Sequence, residues 1–205
     1  QTTGITSALN SVHFISATTG WAAGEFMTIL KTTNSGVNWI PLLSSSLAIN
    51  SVFFNNSLVG YVAGNGFLYK TTNGGLNWSA PISNPAWYLY SVHFPAGITT
   101  TGYTVGMGSP SPPILKSTDS GNNWAILPVP LGNALTSVFF ANVSTGWAAG
   151  WIGTIMYTSD GGTNWSDQIS GTSNSLRSIY FTSAATGWAV GDLGTILKTT
   201  NGGIT

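Results

Sequence analysis

The chain has 205 residues with only five basic and five acidic side chains, no net charge and no cysteine. One Arg and four Lys cannot line the cationic groove that a nucleic-acid backbone requires, and the lack of Cys removes disulfides, thiolate metal sites and a Cys nucleophile. Charged residues make up 5% of the chain, far below the ordinary quarter or so, yet nine Trp, seven Tyr and nine Phe supply ample apolar area for a folded core.

In chain order, the first recognisable element is Leu9-Asn-Ser-Val-His-Phe14, dense in β-branched and aromatic residues and offering apolar groups to both faces. It is followed by Gly20-Trp-Ala-Ala-Gly24, whose small residues permit close approach and whose glycines permit turns. Thr28-Ile-Leu-Lys-Thr-Thr33 is a third strand, ending in the turn Thr32-Thr-Asn-Ser-Gly-Val-Asn-Trp39. There an Asn side chain can cap backbone amides and Gly supplies a positive φ. A fourth strand starts at Asn38-Trp39. Pro41 within it, like Pro81 and Pro128 in later copies, marks this strand as a sheet edge.

The same four segments then recur. First strands start at Ile49, Leu89, Leu135 and Leu176, and the turn returns at Thr71–Trp78, Ser117–Trp124, Thr158–Trp165 and, without its Trp, at Thr199. Val12, Val52, Val92, Val138 and Ile179 are 40, 40, 46 and 41 residues apart. A fixed period of this size denotes a repeat architecture, and four antiparallel strands per unit denote a propeller blade. The expectation is one all-β domain over 1–205, a five-bladed β-propeller with blades near 9–48, 49–88, 89–134, 135–175 and 176–205 plus 1–8. Gln1–Leu9 aligns with Gln168–Leu176, so residues 1–8 are expected to supply the last blade's missing fourth strand and close the ring. The alternative is a portion of a larger ring.

Ser/Thr-x-Asp/Asn-x-Gly-x-x-Trp resembles the Asp-box, or bacterial neuraminidase repeat. Joined to Ser-Val-x-Phe and Gly-Trp-Ala-x-Gly, the unit is similar to the photosynthesis-system-II assembly-factor-type repeat over residues 9–205. The resemblance implies a propeller in which Asn34, Asn73, Asp119, Asp160 and Asn201 are structural Asp-box residues on the outer part of each blade, away from the ligand face. It also implies three functions to weigh. Sialidases of this architecture need an arginine cluster, and Arg177 stands alone. Asp-box glycosidases use two carboxylates; outside the Asp-boxes and Asp167 beside one, the candidates are Glu25 and Asp192. Assembly factors display a basic patch, for which this chain lacks the residues.

Where the copies differ is where specificity is expected. Glu25, Asn65, Met107, Trp151 and Asp192 occupy one variable position between second and third strands, and Trp87 and Tyr88 lie in the connection into the third copy. Glu25, Asn65, Trp87, Tyr88, Trp151 and Asp192 therefore form the candidate binding face. His13 and His93 share a slot with Phe53, Phe139 and Tyr180, which reads as packing; Lys31, Lys70, Lys116 and Lys198 read as solvated strand residues. Asn55, Asn77, Asn142 and Asn164 match the N-glycosylation pattern. No apolar run spans a bilayer, and a neutral Ser/Thr/Asn-rich chain starting at Gln1 fits an exported protein whose leader is gone. The expected function is a secreted or cell-surface module without catalytic residues, metal or cofactor, binding a glycan or protein. The alternative is a structural subunit of an extracellular filament or assembly, and hydrolysis of glycosides is a minor third.

Overall fold

The computed structural model describes residues 3–43, 47–109, 113–128 and 132–204. The chain divides into two compact units, 1–92 and 93–205. In the first, β1 (Leu9–Phe14), β2 (Gly20–Gly24), β3 (Ile29–Thr32) and β4 (Ile40–Leu43) form a four-stranded antiparallel sheet in sequence order. β5 (Ile49–Phe54), β6 (Gly60–Thr71) and β7 (Ser79–His93) follow as the second copy, again antiparallel. β7 fuses the fourth strand of this copy to the first strand of the next, and the boundary between the units falls at its end.

The second unit opens with β8 (Gly102–Gly108), β9 (Ile114–Ser117) and β10 (Ala125–Ile126). β11 (Leu135–Phe140), β12 (Gly146–Gly150), β13 (Ile155–Thr158) and β14 (Ser166–Gln168) make a second complete four-stranded sheet. β15 (Leu176–Phe181), β16 (Gly187–Gly191) and β17 (Ile196–Thr199) make a sheet of three. Pro41 does lie in an edge strand, whereas β10 ends before Pro128.

Residues 3–8 form no strand, and Thr3 lies beside Leu9, Val12, Ala22 and Trp39 of the first copy. The expected closure of the last sheet by residues 1–8 is therefore absent among the described residues. The alignment that suggested it contains the reason. Only Gln168 of the matching stretch belongs to β14, and Ile169–Ser175 is linker leading to β15. Residues 3–8 correspond to linker and behave as one.

One packing unit recurs in every copy. The ring of Phe140 lies over Gly146, where a Cβ would come within 2.5 Å of it; Gly20, Gly60, Gly102 and Gly187 face Phe14, Phe54, Phe94 and Phe181 in the same way. This glycine is required by the ring above it, not by a turn. The Asp-box Trp meets the same Phe edge-on, at 5.9–6.2 Å and 83–90° for Trp39, Trp78, Trp124 and Trp165.

Within each unit, successive copies are joined by a repeated set of contacts. The aromatic residue after the first glycine stacks on the Phe of the next copy, with centroids 3.6 Å apart in Trp21–Phe54, Tyr103–Phe140 and Trp147–Phe181. Its polar edge donates to a carbonyl of the next Asp-box: Trp21 to Gly74, Tyr103 to Gly161 and Trp147 to Gly202. The Ser hydroxyl of the first strand accepts the next copy's amide, as Ser11 does from Val52, Ser51 from Val92 and Ser137 from Ile179. A bulge beside that Ser turns Asn10, Asn50 and Thr136 toward the carbonyls of Ile49, Leu89 and Leu176.

The lysines belong to this system as well. Lys116 donates to the Gly161 carbonyl at 2.8 Å beside the Tyr103 ring, Lys31 sits over Trp21, and Lys70 is buried. Lys116 thus clamps its copy to the next and Lys70 is buried, against the solvated row expected, whereas Lys198 is exposed over Trp188 as expected. His13, as expected, is a packing residue: it stacks on Phe53 at 4.3 Å, and its Nδ1 accepts the amide of Phe54.

Candidate functional site

Each blade has a constant end and a variable end. At the constant end the Asp-box closes on itself. The hydroxyl of Thr32, Thr71, Ser117 or Thr158 is buried, donates to the Asn or Asp two residues on and accepts the amide four residues on. The Asn or Asp carboxamide or carboxylate oxygen then accepts a second amide, at 2.9 Å from Asn38, Asn77, Asn123 and Asn164. Asp119 and Asp160 receive in addition the side-chain amides of Asn123 and Asn164, and these bonds hold both carboxyls down to about 2. The box is pinned to the turn between first and second strands, for example by Gly161 N–H to the Ser144 carbonyl. The Thr or Ser hydroxyl and the Asn or Asp oxygen of each of these four turns are thus engaged within the turn itself.

At the variable end, second and third strands are joined in three copies by one tight turn: Glu25–Met27, Trp151–Gly153 and Asp192–Gly194. The amide of Glu25, Trp151 and Asp192 donates to the carbonyl of Ala8, Ala134 and Ser175, just ahead of each first strand. The turn is thereby fixed against the incoming connection, which puts the two loops at the same end of the blade. The second copy is one residue shorter here and turns at Asn65-Gly66 within β6.

The structure distributes the six candidate residues as follows. In the first unit, Asn65 stands opposite Tyr88 in the β6–β7 register and its Oδ1 accepts from Asn50. Trp87 is half-buried and Tyr88 exposed, both within β7 beside a bulge, not in a free connection. Glu25 opens the first turn. In the second unit Trp151 is partly exposed at the head of its turn, and Asp192 is gripped by Arg177 through Nε and an Nη, each at 2.8 Å. The Arg177 hydrogen bonds pull the Asp192 carboxyl below its usual range. A glycosidase acid needs the opposite shift, so Asp192 is unsuited to that part. Among the described residues no three His, Asp or Glu side chains come together as a metal would require.

Sequence reasoning missed the most exposed groups of this end. Phe26, Ile152 and Leu193 are the middle residues of the three turns, with φ of 55°, 53° and 54°, in the left-handed region that L-residues avoid. All three side chains point into solvent, Leu193 being 91% exposed. A β-branched Ile held there and left bare is neither a folding preference nor a core contact. The detectable signal is an apolar residue recurring immediately after the most variable position of the repeat.

Of the N-glycosylation patterns, Asn55 has its Nδ2 enclosed, and Asn164 has its Nδ2 bound to Asp160 at 2.7 Å. Asn77 and Asn142 are exposed.

Residues 114–205 match the family model of the photosynthesis system II assembly factor YCF48. Over those residues the repeat is similar to that family's. Among solved structures, YCF48 bound to a D1 peptide superimposes with TM-score 0.72 at 23% identity, covering 96% of this chain and 64% of its own. YCF48 from Cyanidioschyzon merolae gives 0.72 at 17% identity, covering 97% and 71%. The GH74 enzyme of Niastella koreensis gives 0.74 at 16% identity, with 91% of this chain but 35% of the enzyme. The chain thus spans under two thirds of the length of the first of these, and these likenesses establish the fold. No curated protein matches the sequence. Among the described residues no helix is long and apolar enough to cross a membrane.

Proposed function

We propose that this chain is a non-catalytic module that binds an apolar protein segment at the variable end of its blades. The observation that carries this reading is a bare apolar side chain held in a costly backbone conformation at equivalent turns, Ile152 and Leu193 in successive copies of the second unit and Phe26 in the first. Strain of this kind persists where function maintains it. Aliphatic side chains such as Ile152 and Leu193 dehydrate well against protein and offer a sugar no hydrogen bond, and Trp151 and Tyr88 add aromatic anchors at the same ends of their blades. The likeness to an assembly factor seen with a peptide supports the protein alternative over the glycan one. The loss of Asp192 as an acid, through Arg177, supports the absence of hydrolysis.

The test is a displayed random-peptide library panned against the wild type and against a triple variant, Phe26→Ser, Ile152→Ser, Leu193→Ser. Peptides enriched on the wild type should be rich in apolar residues and should bind the variant at least about tenfold more weakly. No enrichment, or equal binding to a folded triple variant, would overturn the reading.

A further inference from the structure

Asn followed by Gly occurs three times, as Asn65-Gly66, Asn73-Gly74 and Asn201-Gly202. With no Cβ beside it, the glycine amide nitrogen is open to attack the side chain of the preceding Asn, so each pair is chemically able to lose ammonia. The fold treats the three differently. In the two Asp-boxes both reacting groups are tied. The N–H of Gly74 and of Gly202 donates to the Leu58 and Ala185 carbonyls at 2.8 and 2.7 Å. Asn73 Oδ1 accepts from the Thr71 hydroxyl and the Asn77 amide, and Asn201 Oδ1 from the Thr199 hydroxyl and the Ile204 amide.

Asn65-Gly66 is held by much less. The Asn65 side chain is exposed and accepts from Asn50 Nδ2 at 3.1 Å. Gly66, with φ of 86°, falls in a register shift: Asn65 stands opposite Tyr88 and Phe67 opposite Ser83, and Gly66 is paired with neither. The anchor of this turn is long as well. The Asn65 N–H reaches the Ala48 carbonyl at 3.4 Å, where Glu25, Trp151 and Asp192 make the equivalent bond at 2.9 Å.

We propose that Asn65 is a deamidation site of the folded protein, where a spontaneous modification places a new carboxylate at the variable end. The Gly66 nitrogen attacks Asn65 Cγ. The N–Cγ bond forms, the Cγ–Nδ2 bond breaks, and Nδ2 leaves as ammonia with the proton given up by the Gly66 amide, closing a five-membered succinimide. Solvent water then opens the ring. Addition at Cγ yields aspartate, and addition at the main-chain carbonyl carbon yields isoaspartate; nothing is oxidised or reduced. Aspartate keeps an acceptor for Asn50 and matches the acidic Glu25 and Asp192 at the same place in the repeat, whereas isoaspartate lengthens β6 by one methylene opposite Tyr88. Either product gives a chain of zero net charge one negative charge. The reaction involves none of Phe26, Ile152 and Leu193, so it stands or falls apart from the peptide-binding reading.

The test ages the full chain, folded and in urea, in mildly alkaline buffer at body temperature and follows each Asn-Gly pair by peptide mapping, where deamidation adds about one dalton. In each Asp-box three printed bonds must yield before the ring can close, so the folded chain should react at Asn65 at least about tenfold faster than at Asn73 or Asn201. In urea the three rates should converge. Isoelectric focusing of the folded chain should show one early acidic band, absent from Asn65→Gln, with circular dichroism verifying that the variant folds. Equal rates at the three sites in the folded chain, or an Asn65 that reacts only in urea, would overturn the proposal. So would the same rate ratio in urea as in buffer, because flanking sequence and not the fold would then select the site.

Discussion

His13 makes the first unit sensitive to mild acid. Its ring is stacked on Phe53 and its Nδ1 accepts the Phe54 amide, so a proton at Nδ1 would replace an acceptor with a second donor facing that N–H. Burial lowers the imidazole from 6.5 to about 4. A histidine that is kept neutral in the folded state contributes fully above its unfolded pKa, and the contribution is lost as pH falls from about 6.5 toward 4. Between about pH 7.5 and pH 4.5 the unfolded chain gains a proton that the folded chain refuses. This amounts to about 2.5 kcal/mol for a sealed ring, or about 2 kcal/mol with the partial solvent access seen here. The assay is urea denaturation across that range for the wild type and His13→Phe, the residue found in the same slot at Phe53 and Phe139. The variant should be less stable by about 1 kcal/mol at neutral pH, for want of the hydrogen bond, but should lose about 2 kcal/mol less on acidification. Equal pH slopes for the two proteins would refute the argument.

Other outcomes follow from the same structure. Ile152→Gly and Leu193→Gly, which relieve a left-handed residue without uncovering any core, should raise stability by up to about 1 kcal/mol while weakening peptide capture. Asp119 and Asp160 hold stability that is present above about pH 4 and lost as pH falls toward about 2; Asn at both positions, as in Asn34 and Asn73, should flatten the denaturation midpoint over that interval. Gly146→Ala, whose methyl would collide with the Phe140 ring, should cost about 1–3 kcal/mol in denaturant melts. Asp192→Asn breaks an exposed ion pair and should leave the thermal midpoint nearly unchanged.

The strands and Asp-box turns are legible because each is specified by neighbours in sequence: Ser-Val-x-Phe is a strand in the first copy, where it is largely exposed, as in those where it is covered, and Thr32 and Asn34 need only one another and the next four residues to make their turn. What the sequence could not show depends on the third dimension or on absence. Phe26, Ile152 and Leu193 have the composition of core residues, and only the positive φ and the solvent around them show otherwise. The lysines carry charge and so resemble surface, yet Lys116 is spent on a carbonyl 45 residues away. Gln1–Ala8 matches Gln168–Ser175 in residue types, yet that counterpart contributes one residue to β14 and otherwise links. Trp87 and Tyr88 read as a loop because nothing in their sequence signals that β7 runs through two copies.

The hydrogen bonds between successive copies join residues 39 to 58 positions apart, a span of little more than one repeat. For these bonds a nascent chain leaving the ribosome has to wait only for the next copy. Once the second Gly-x-x-x-Gly segment and its Asp-box have emerged, Trp21 already has Phe54 and Gly74 to receive it, and within the second unit Tyr103 and Trp147 wait in the same way for the copy that follows each. Contacts this near in sequence keep the search for a partner short within each unit.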